Sequence, residues 1–116
     1  MKKSKTFENV LVWQKGHQFV LEVSKIIKLF LKEEIYGFTS PFRKAAVSIP
    51  ANIDEVYKKV RTKEKVFFYN IAQASLEESN DFLILSRDLE YTNQFINLND
   101  LISKVSKMLN ASLAAS

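Results

Sequence analysis

Two glycines and two prolines in 116 residues leave this chain few places to turn. An all-β fold reverses direction often and draws on glycine and proline each time, so long helices joined by short links are the favoured alternative. Apolar spacing points the same way. Phe42, Ala46, Ile49, Ile53, Tyr57 and Val60 recur at intervals of three and four and fall on one helical face. Ser40 is placed to cap that helix, and Pro41 stands at its first position, where a missing N–H costs nothing. Pro50 lies inside the same segment and predicts a local bend.

The same periodicity divides the chain into four helices, at residues 9–31, 41–59, 63–89 and 93–114. In the first, Val12–Phe19–Ile26 and Trp13–Val20–Ile27 form two adjacent seven-residue rows, wider than the single stripe a bundle helix needs. One row can fill a core while the other meets a second subunit, with Trp13, Phe19 and Ile26 as the candidate contact residues. A deeply buried helix would explain the width equally well. Gly16 allows close approach of another helix, at a cost of about 1 kcal/mol relative to alanine. Gly37 is expected to end the first link with a positive φ, and Thr62 to cap helix three. In helix three the inward row is read as Phe67, Phe68, Ile71, Ala74, Ser75, Phe82, Leu85 and Leu89, interrupted by Glu78. A buried carboxylate needs a partner, and Arg43 and Asn52 on helix two are candidates. Glu78 pointing at water is the other reading. Helix four places Phe95, Leu98, Leu101, Ile102, Val105, Met108, Leu109 and Leu113 at clean helical spacing. Four long helices with short links make an all-α, single-domain, up-down-up-down antiparallel four-helix bundle.

Composition narrows the chemistry. With no cysteine, disulfides, thiolate metal sites and cysteine nucleophiles are all excluded. One histidine cannot build a histidine metal cluster or a pair of Glu-x-x-His di-iron motifs. Asp54/Glu55 and Glu77/Glu78 are neighbours in sequence and diverge by about 100° on a helix, so neither pair converges on one substrate atom. No glycine-rich phosphate loop and no nucleophile–base set is present. The chain therefore reads as a non-enzyme with no metal and no cofactor. No apolar run approaches a membrane span, and the basic Met1–Thr6 start lacks the apolar segment of a secretory signal, so a cytoplasmic protein is expected.

Charge is uneven. Residues 1–65 carry 14 Lys/Arg against 7 Asp/Glu, and residues 66–116 carry 3 against 6. A basic surface suits phosphate, while opposite charges attracting within a bundle would produce the same pattern. Lys58, Lys59, Arg61, Lys63 and Lys65 cluster at the link between helices two and three, with Tyr57 and Tyr69 near enough to offer aromatic faces. They are the candidate RNA or DNA contacts, and such binding would be phosphate-led and sensitive to salt.

The string Arg43-Lys-Ala-Ala-Val-Ser-Ile-Pro-Ala-Asn-Ile-Asp-Glu55 resembles the central signature of the four-helix-bundle proteins encoded by intervening sequences of bacterial 23S ribosomal RNA genes. Val12-Trp-Gln-Lys15 is similar to that family's opening helix, and Tyr69-Asn-Ile-Ala-Gln-Ala-Ser-Leu-Glu-Glu78 to its third. The likeness runs from about Phe7 to Asn110. Val56 stands where the family usually has glycine, Gln73 and Ala74 replace an arginine-glycine pair, and Pro41 replaces a glutamine. The resemblance implies a homo-oligomer, as a pentameric ring. It also puts Arg43, Asn52, Glu55 and Glu78 at the signature's polar positions, as a buried network or a contact between subunits. The family is similar in fold to the accessory variability protein of diversity-generating retroelements, which binds nucleic acid and a reverse transcriptase. That likeness implies a nucleic-acid-associated scaffold whose partners include a nucleic-acid-processing protein. A structural or protein-interaction module with no nucleic-acid role is the alternative.

Overall fold

The computed structural model describes the backbone of residues 7–115 and the side chains of residues 9–112. Four helices carry the fold: α1 (Phe7–Ile27), α2 (Ser40–Lys58), α3 (Thr62–Asp88) and α4 (Phe95–Ala115). No strand occurs among the described residues. Each helix packs on its neighbours in sequence, and α1 also packs on α4, which closes the bundle. Directions follow from cross-helix contacts. Tyr69 meets Asn110, Gln73 meets Ser106 and Asn80 meets Asn99, so residue number falls along α3 as it rises along α4. Ser75 donates to Ser48, and Lys65 donates to the Val56 carbonyl, which sets α3 antiparallel to α2. Ser112 donates to Asn9 and does the same for α4 and α1. The bundle therefore runs up-down-up-down and is 48 Å long.

The core is drawn from all four helices. Val12, Phe19, Val23, Ile49, Ile53, Leu83, Val105 and Leu109 are all essentially inaccessible. At one end, Phe30, Phe38, Phe42, Phe82 and Tyr91 close the bundle with rings 5.0–6.2 Å apart. Such aromatic pairs contribute about 0.5–1.5 kcal/mol each beyond their burial.

The first link departs from expectation. α1 stops at Ile27, not at residue 31, and the chain then forms a 3₁₀ turn (Lys32–Glu34) and a π-helical turn (Ile35–Thr39) leading directly into α2. Ser40 therefore lies inside continuous helix and caps nothing, because Thr39 before it already has helical dihedrals. Gly37 sits within the π-helical turn with no positive φ. At α3, Arg61 occupies the extended capping position and Thr62 is the first helical residue, with no side-chain cap. α4 begins at Phe95, two residues later than predicted. α2 continues through Pro50. Beside it, a Cβ added to Gly16 would lie 3.5 Å from Ile49 and Ile53 side-chain carbons and 3.7 Å from the Pro50 Cα. Those are ordinary contact distances, so the close approach does not require glycine.

Among the described residues the one positive φ outside glycine closes α3. Glu90, at φ 61°, holds the left-handed position after the helix. The Glu90 N–H donates to the Arg87 carbonyl at 3.0 Å and the Tyr91 N–H to the Ser86 carbonyl at 2.8 Å, the paired bonds of a Schellman motif. Tyr91 is thereby turned onto Phe30 and Phe38, and its hydroxyl donates to Glu34.

α3 presents its apolar residues differently from the predicted row. Its buried face is Ala72, Ser75, Leu76, Ser79, Leu83 and Ser86. Phe67 is 59% exposed, and Ala74, Leu85 and Leu89 also face outward. α2–α3 is the most extensive helix pairing in the bundle, and Ser75 of α3 donates to Ser48 of α2 across it. Of the predicted row, Ser75 is buried and Phe68 and Phe82 pack against the core, so the row is divided between inside and outside. Leu113 of the predicted core lies outside the residues whose side chains are described, as do residues 1–6 of the basic start.

Candidate functional site

The link between α2 and α3 gathers the five predicted cations at one end of the bundle, but not as five free charges. Lys58 pairs with Asp54 at 2.8 Å, and Lys59 pairs with Glu55 at 3.3 Å. Lys59 also lies 5.1 Å from the centre of the Phe68 ring. Lys65 donates to the Val56 carbonyl at 2.9 Å, in the last turn of α2, where a cation meets free carbonyls and the negative end of the helix dipole. Arg61 and Lys63 are exposed, with no ion pair among the described residues. The hydrogen bond to Asp54, together with that carboxylate's charge, holds the Lys58 ammonium above its ordinary pKa. Tyr57 is buried and donates to Ser112, which in turn donates to Asn9, so this hydroxyl chain ties α2, α4 and α1 together at that end. Burial raises the Tyr57 pKa. Tyr69 is turned instead toward Asn110, which also accepts from Gln73.

The predicted polar network is not buried within one chain. Arg43 and Glu78 are both exposed. Asn52 donates to the Ser48 carbonyl at 2.8 Å and to the Ser48 hydroxyl at 2.9 Å, one turn back on its own helix. Glu55 is half-buried and takes Lys59. Glu78 is exposed because the buried face of helix three is rotated from the predicted row toward Ala72, Ser79 and Leu83, which carries Ala74, Glu78 and Leu85 to the outside. Polar contacts between helices lie elsewhere: in the α3–α4 set of Tyr69, Gln73, Asn80, Asn99, Ser106 and Asn110, in the Ser75–Ser48 bond and in the Tyr57–Ser112–Asn9 chain. The only sequence signal for them was polar residues recurring at helical spacing, which reads equally well as a solvated face.

Of the three proposed interface residues, Phe19 and Ile26 are core residues. The row Val12–Phe19–Ile26 is the inward one, and Ile27 from the second row is buried too. Trp13 alone reaches the surface, 37% exposed and stacked on His17 with ring centres 4.9 Å apart. Other apolar side chains do lie outside. Val10 and Leu21 on α1, Val47 on α2, and Phe67, Leu85 and Leu89 on α3 are exposed. On α4 the sole exposed large hydrophobic residue among the described ones is Ile96, in its first turn. The most exposed large hydrophobic residues among the described ones lie in the α1–α2 link and at the start of α4: Tyr36 at 87%, Leu29 at 79% and Ile96 at 74%.

Other chemistry is sparse among the described residues. No group of three or more His, Cys, Asp or Glu side chains is placed to hold a metal ion. No helix is long and apolar enough to cross a membrane. An open cleft of about 730 Å³ between the end of α1 and the α3–α4 link is lined by Glu22, Lys25, Arg87 and Glu90. Lys25 is already paired with Glu22, and Arg87 with Asp88.

These features define an antiparallel four-helix bundle with a buried apolar core, a basic end in which Lys58, Lys59 and Lys65 are engaged, and several apolar side chains left exposed. The sequence model of the 23S rRNA-intervening sequence protein family matches residues 8–111, and the chain belongs to that family. A solved structure from Bacteroides thetaiotaomicron, described as a protein of unknown function from the S23 ribosomal protein family, is similar in fold. It superimposes with a TM-score of 0.83 over 93% of this chain and 99% of its own, at 21% identity. No curated protein matches this chain.

Proposed function

We propose that the chain is a non-enzymatic cytoplasmic scaffold that works as an assembly of identical subunits and meets nucleic-acid phosphates through its α2–α3 end. The observation that carries this reading is the exposure of Val10 and Leu21 on α1, Val47 on α2 and Phe67 and Leu85 on α3 in a bundle that has its own buried core. Exposed apolar rows on a soluble bundle mark an interaction surface. The family's pentameric ring is the assembly that the sequence resemblance suggests. In a ring, Arg61 and Lys63 recur once per subunit around one rim. Repetition multiplies contacts that are individually weak.

The test has two parts. Light scattering at micromolar concentration is expected to give a mass well above the 13.4 kDa of one chain. RNA binding is expected to fall linearly with salt on logarithmic axes, with little sequence preference. Arg61→Ala with Lys63→Ala should weaken binding to all sequences alike and flatten that slope. A second reading, a protein-interaction module without a nucleic-acid role, is favoured by the engagement of Lys58, Lys59 and Lys65 inside the chain. An assembly that binds neither RNA nor DNA at low salt would establish it.

A further inference from the structure

The outer faces of α1 and α3 carry the same pattern. On α1 and the turn that follows it, Val10, His17, Leu21, Ser24 and Lys28 succeed one another at intervals of seven, four, three and four, and all but the half-buried Ser24 are exposed. On α3, Phe67, Ala74, Glu78, Asp81 and Leu85 do so at identical intervals, and all five are exposed. Such spacing keeps a row on one side of a helix over several turns and is the spacing by which two helices pair. Within one chain these rows cannot meet, because α1 and α3 stand at opposite corners of the bundle, each packed between α2 and α4.

The rows are also level with each other. Gly16 packs against Ile49 and Pro50 of α2, and Ser48 of α2 bonds to Ser75 of α3. His17, next to Gly16, is therefore at the height of Ala74, next to Ser75. Counting along each row puts Val10 at the height of Phe67 and Lys28 at that of Leu85. α1 and α3 run in the same direction, since each is antiparallel to α2.

Charge divides between the same surfaces. Lys28, Arg43 and Lys44 on the α1–α2 side are exposed, with no ion pair among the described residues. Glu77, Glu78 and Asp81 on α3 are exposed and likewise without one. Arg43, near the start of α2, lies within about a helical turn of the height of Asp81, by the same antiparallel register. The α4 surface offers no comparable row, its exposed middle being Asp100, Ser103, Lys104 and Lys107.

We infer that the α1 row of one copy packs in parallel on the α3 row of the next, head to tail, with the Lys28/Arg43 cations of one subunit facing the Glu78/Asp81 carboxylates of its neighbour. This rests on the homo-oligomer reading above and adds which surfaces meet. A ring symmetric about an axis along the bundle keeps every copy pointing the same way, so rows that are level in one chain are level between chains. The contact is heterologous, one patch on each partner, and closes by rotation rather than pairing two copies off. Trp13, stacked on His17 of the α1 row, comes under the neighbour's α3 with it and becomes covered.

Because the chain has no cysteine, introduced thiols are unambiguous. The chain carrying both His17→Cys and Ala74→Cys, treated with a short bis-maleimide, is expected to give a ladder of covalent multimers ending at the ring size. Each single-cysteine chain should remain at monomer mass on a denaturing gel. In parallel, Phe67→Glu should collapse the native mass to one chain with helical circular dichroism unchanged, whereas Lys107→Glu on α4 should leave the mass alone. If the native protein is multimeric but the double variant gives no ladder, or Phe67→Glu still assembles, this interface is wrong and the assembly reading stands. If a single-cysteine chain crosslinks to dimer, the contact is isologous and the inference is overturned. A native protein that is monomeric defeats the assembly reading itself, and this interface with it.

Discussion

Replacing Ser79 by alanine should stabilise the bundle. Ser79 is fully buried on α3, and its Oγ has no hydrogen-bond partner among the described residues. A buried hydroxyl left unpaired forfeits its bonds to water and costs about 1–3 kcal/mol. Alanine removes that cost and gains about 0.5 kcal/mol of helix propensity. Against this stands the loss of one oxygen from a tight α2–α3 contact, a void smaller than a methyl group and worth less than about 1 kcal/mol. The balance is about 1 kcal/mol in favour of Ser79→Ala. Two neighbours serve as controls. Ser75 donates to Ser48 at 2.8 Å and Ser86 donates to the Phe82 carbonyl at 2.8 Å, so their alanine variants lose a made bond. Neither should gain stability beyond the propensity term. Urea unfolding at one fixed protein concentration, far-ultraviolet circular dichroism as signal and an unchanged m-value would make the comparison. A loss above about 0.5 kcal/mol for Ser79→Ala would refute the reasoning, because it would mean the hydroxyl is satisfied and useful.

Glu90→Gly should stabilise by about 0.5–1 kcal/mol, since the left-handed φ of 61° that glycine adopts freely strains any residue with a Cβ, while part of the gain is returned as unfolded-chain entropy. A lower melting temperature for that variant would show that the Glu90 side chain contributes more than its backbone costs. Stability should also decline in alkali. Burial holds Tyr57 above its ordinary value of 10.0, the Glu34 hydrogen bond does the same for Tyr91, and Asp54 raises Lys58 above 10.5. In each case the folded state favours the protonated form, so the contribution is complete below the ordinary value and is lost as pH rises through the raised one. Tyr57→Phe should flatten the decline above pH 10 in urea titrations, and an unchanged slope would count against a buried, neutral Tyr57.

Helix number, order and approximate extent were legible because period is a property of the sequence itself: three-and-four spacing survives whatever the helix packs against. Ends were less legible. Ser40-Pro41 has the form of a cap, yet the π-helical turn before it supplies helical backbone up to Thr39 and removes the need for one. The end of α3 carried no glycine to announce it, because Glu90 takes the position glycine usually fills. The basic cluster was legible as a cluster, but not the local acceptors that occupy it. Asp54 and Glu55 reach Lys58 and Lys59 one turn later, as carboxylates four residues before a lysine commonly do.

Phase was the harder matter, and α3 shows why. Two rows on that helix have helical period. One is Ala72, Ser75, Leu76, Ser79, Leu83 and Ser86, and the other runs through Phe67, Ala74, Glu78 and Leu85. The first, with Leu76 and Leu83, faces the core, and the second, interrupted by Glu78, faces out. Phe68 and Phe82, which belong to the predicted inward row, still pack against the core. The buried face is therefore rotated by part of a turn from the predicted one, which leaves Phe67, Leu85 and Glu78 outside. Phe67 packs edge-on against Phe68, with ring centres 5.0 Å apart, yet remains 59% exposed. In the proposed ring the second row would be covered by a neighbour, and Glu78 would meet a cation on another copy in place of the Arg43 of its own. The exposed Phe67 and Leu85 and the carboxylates beside them, without an ion pair among the described residues, would then have one physical explanation, where a monomer needs two.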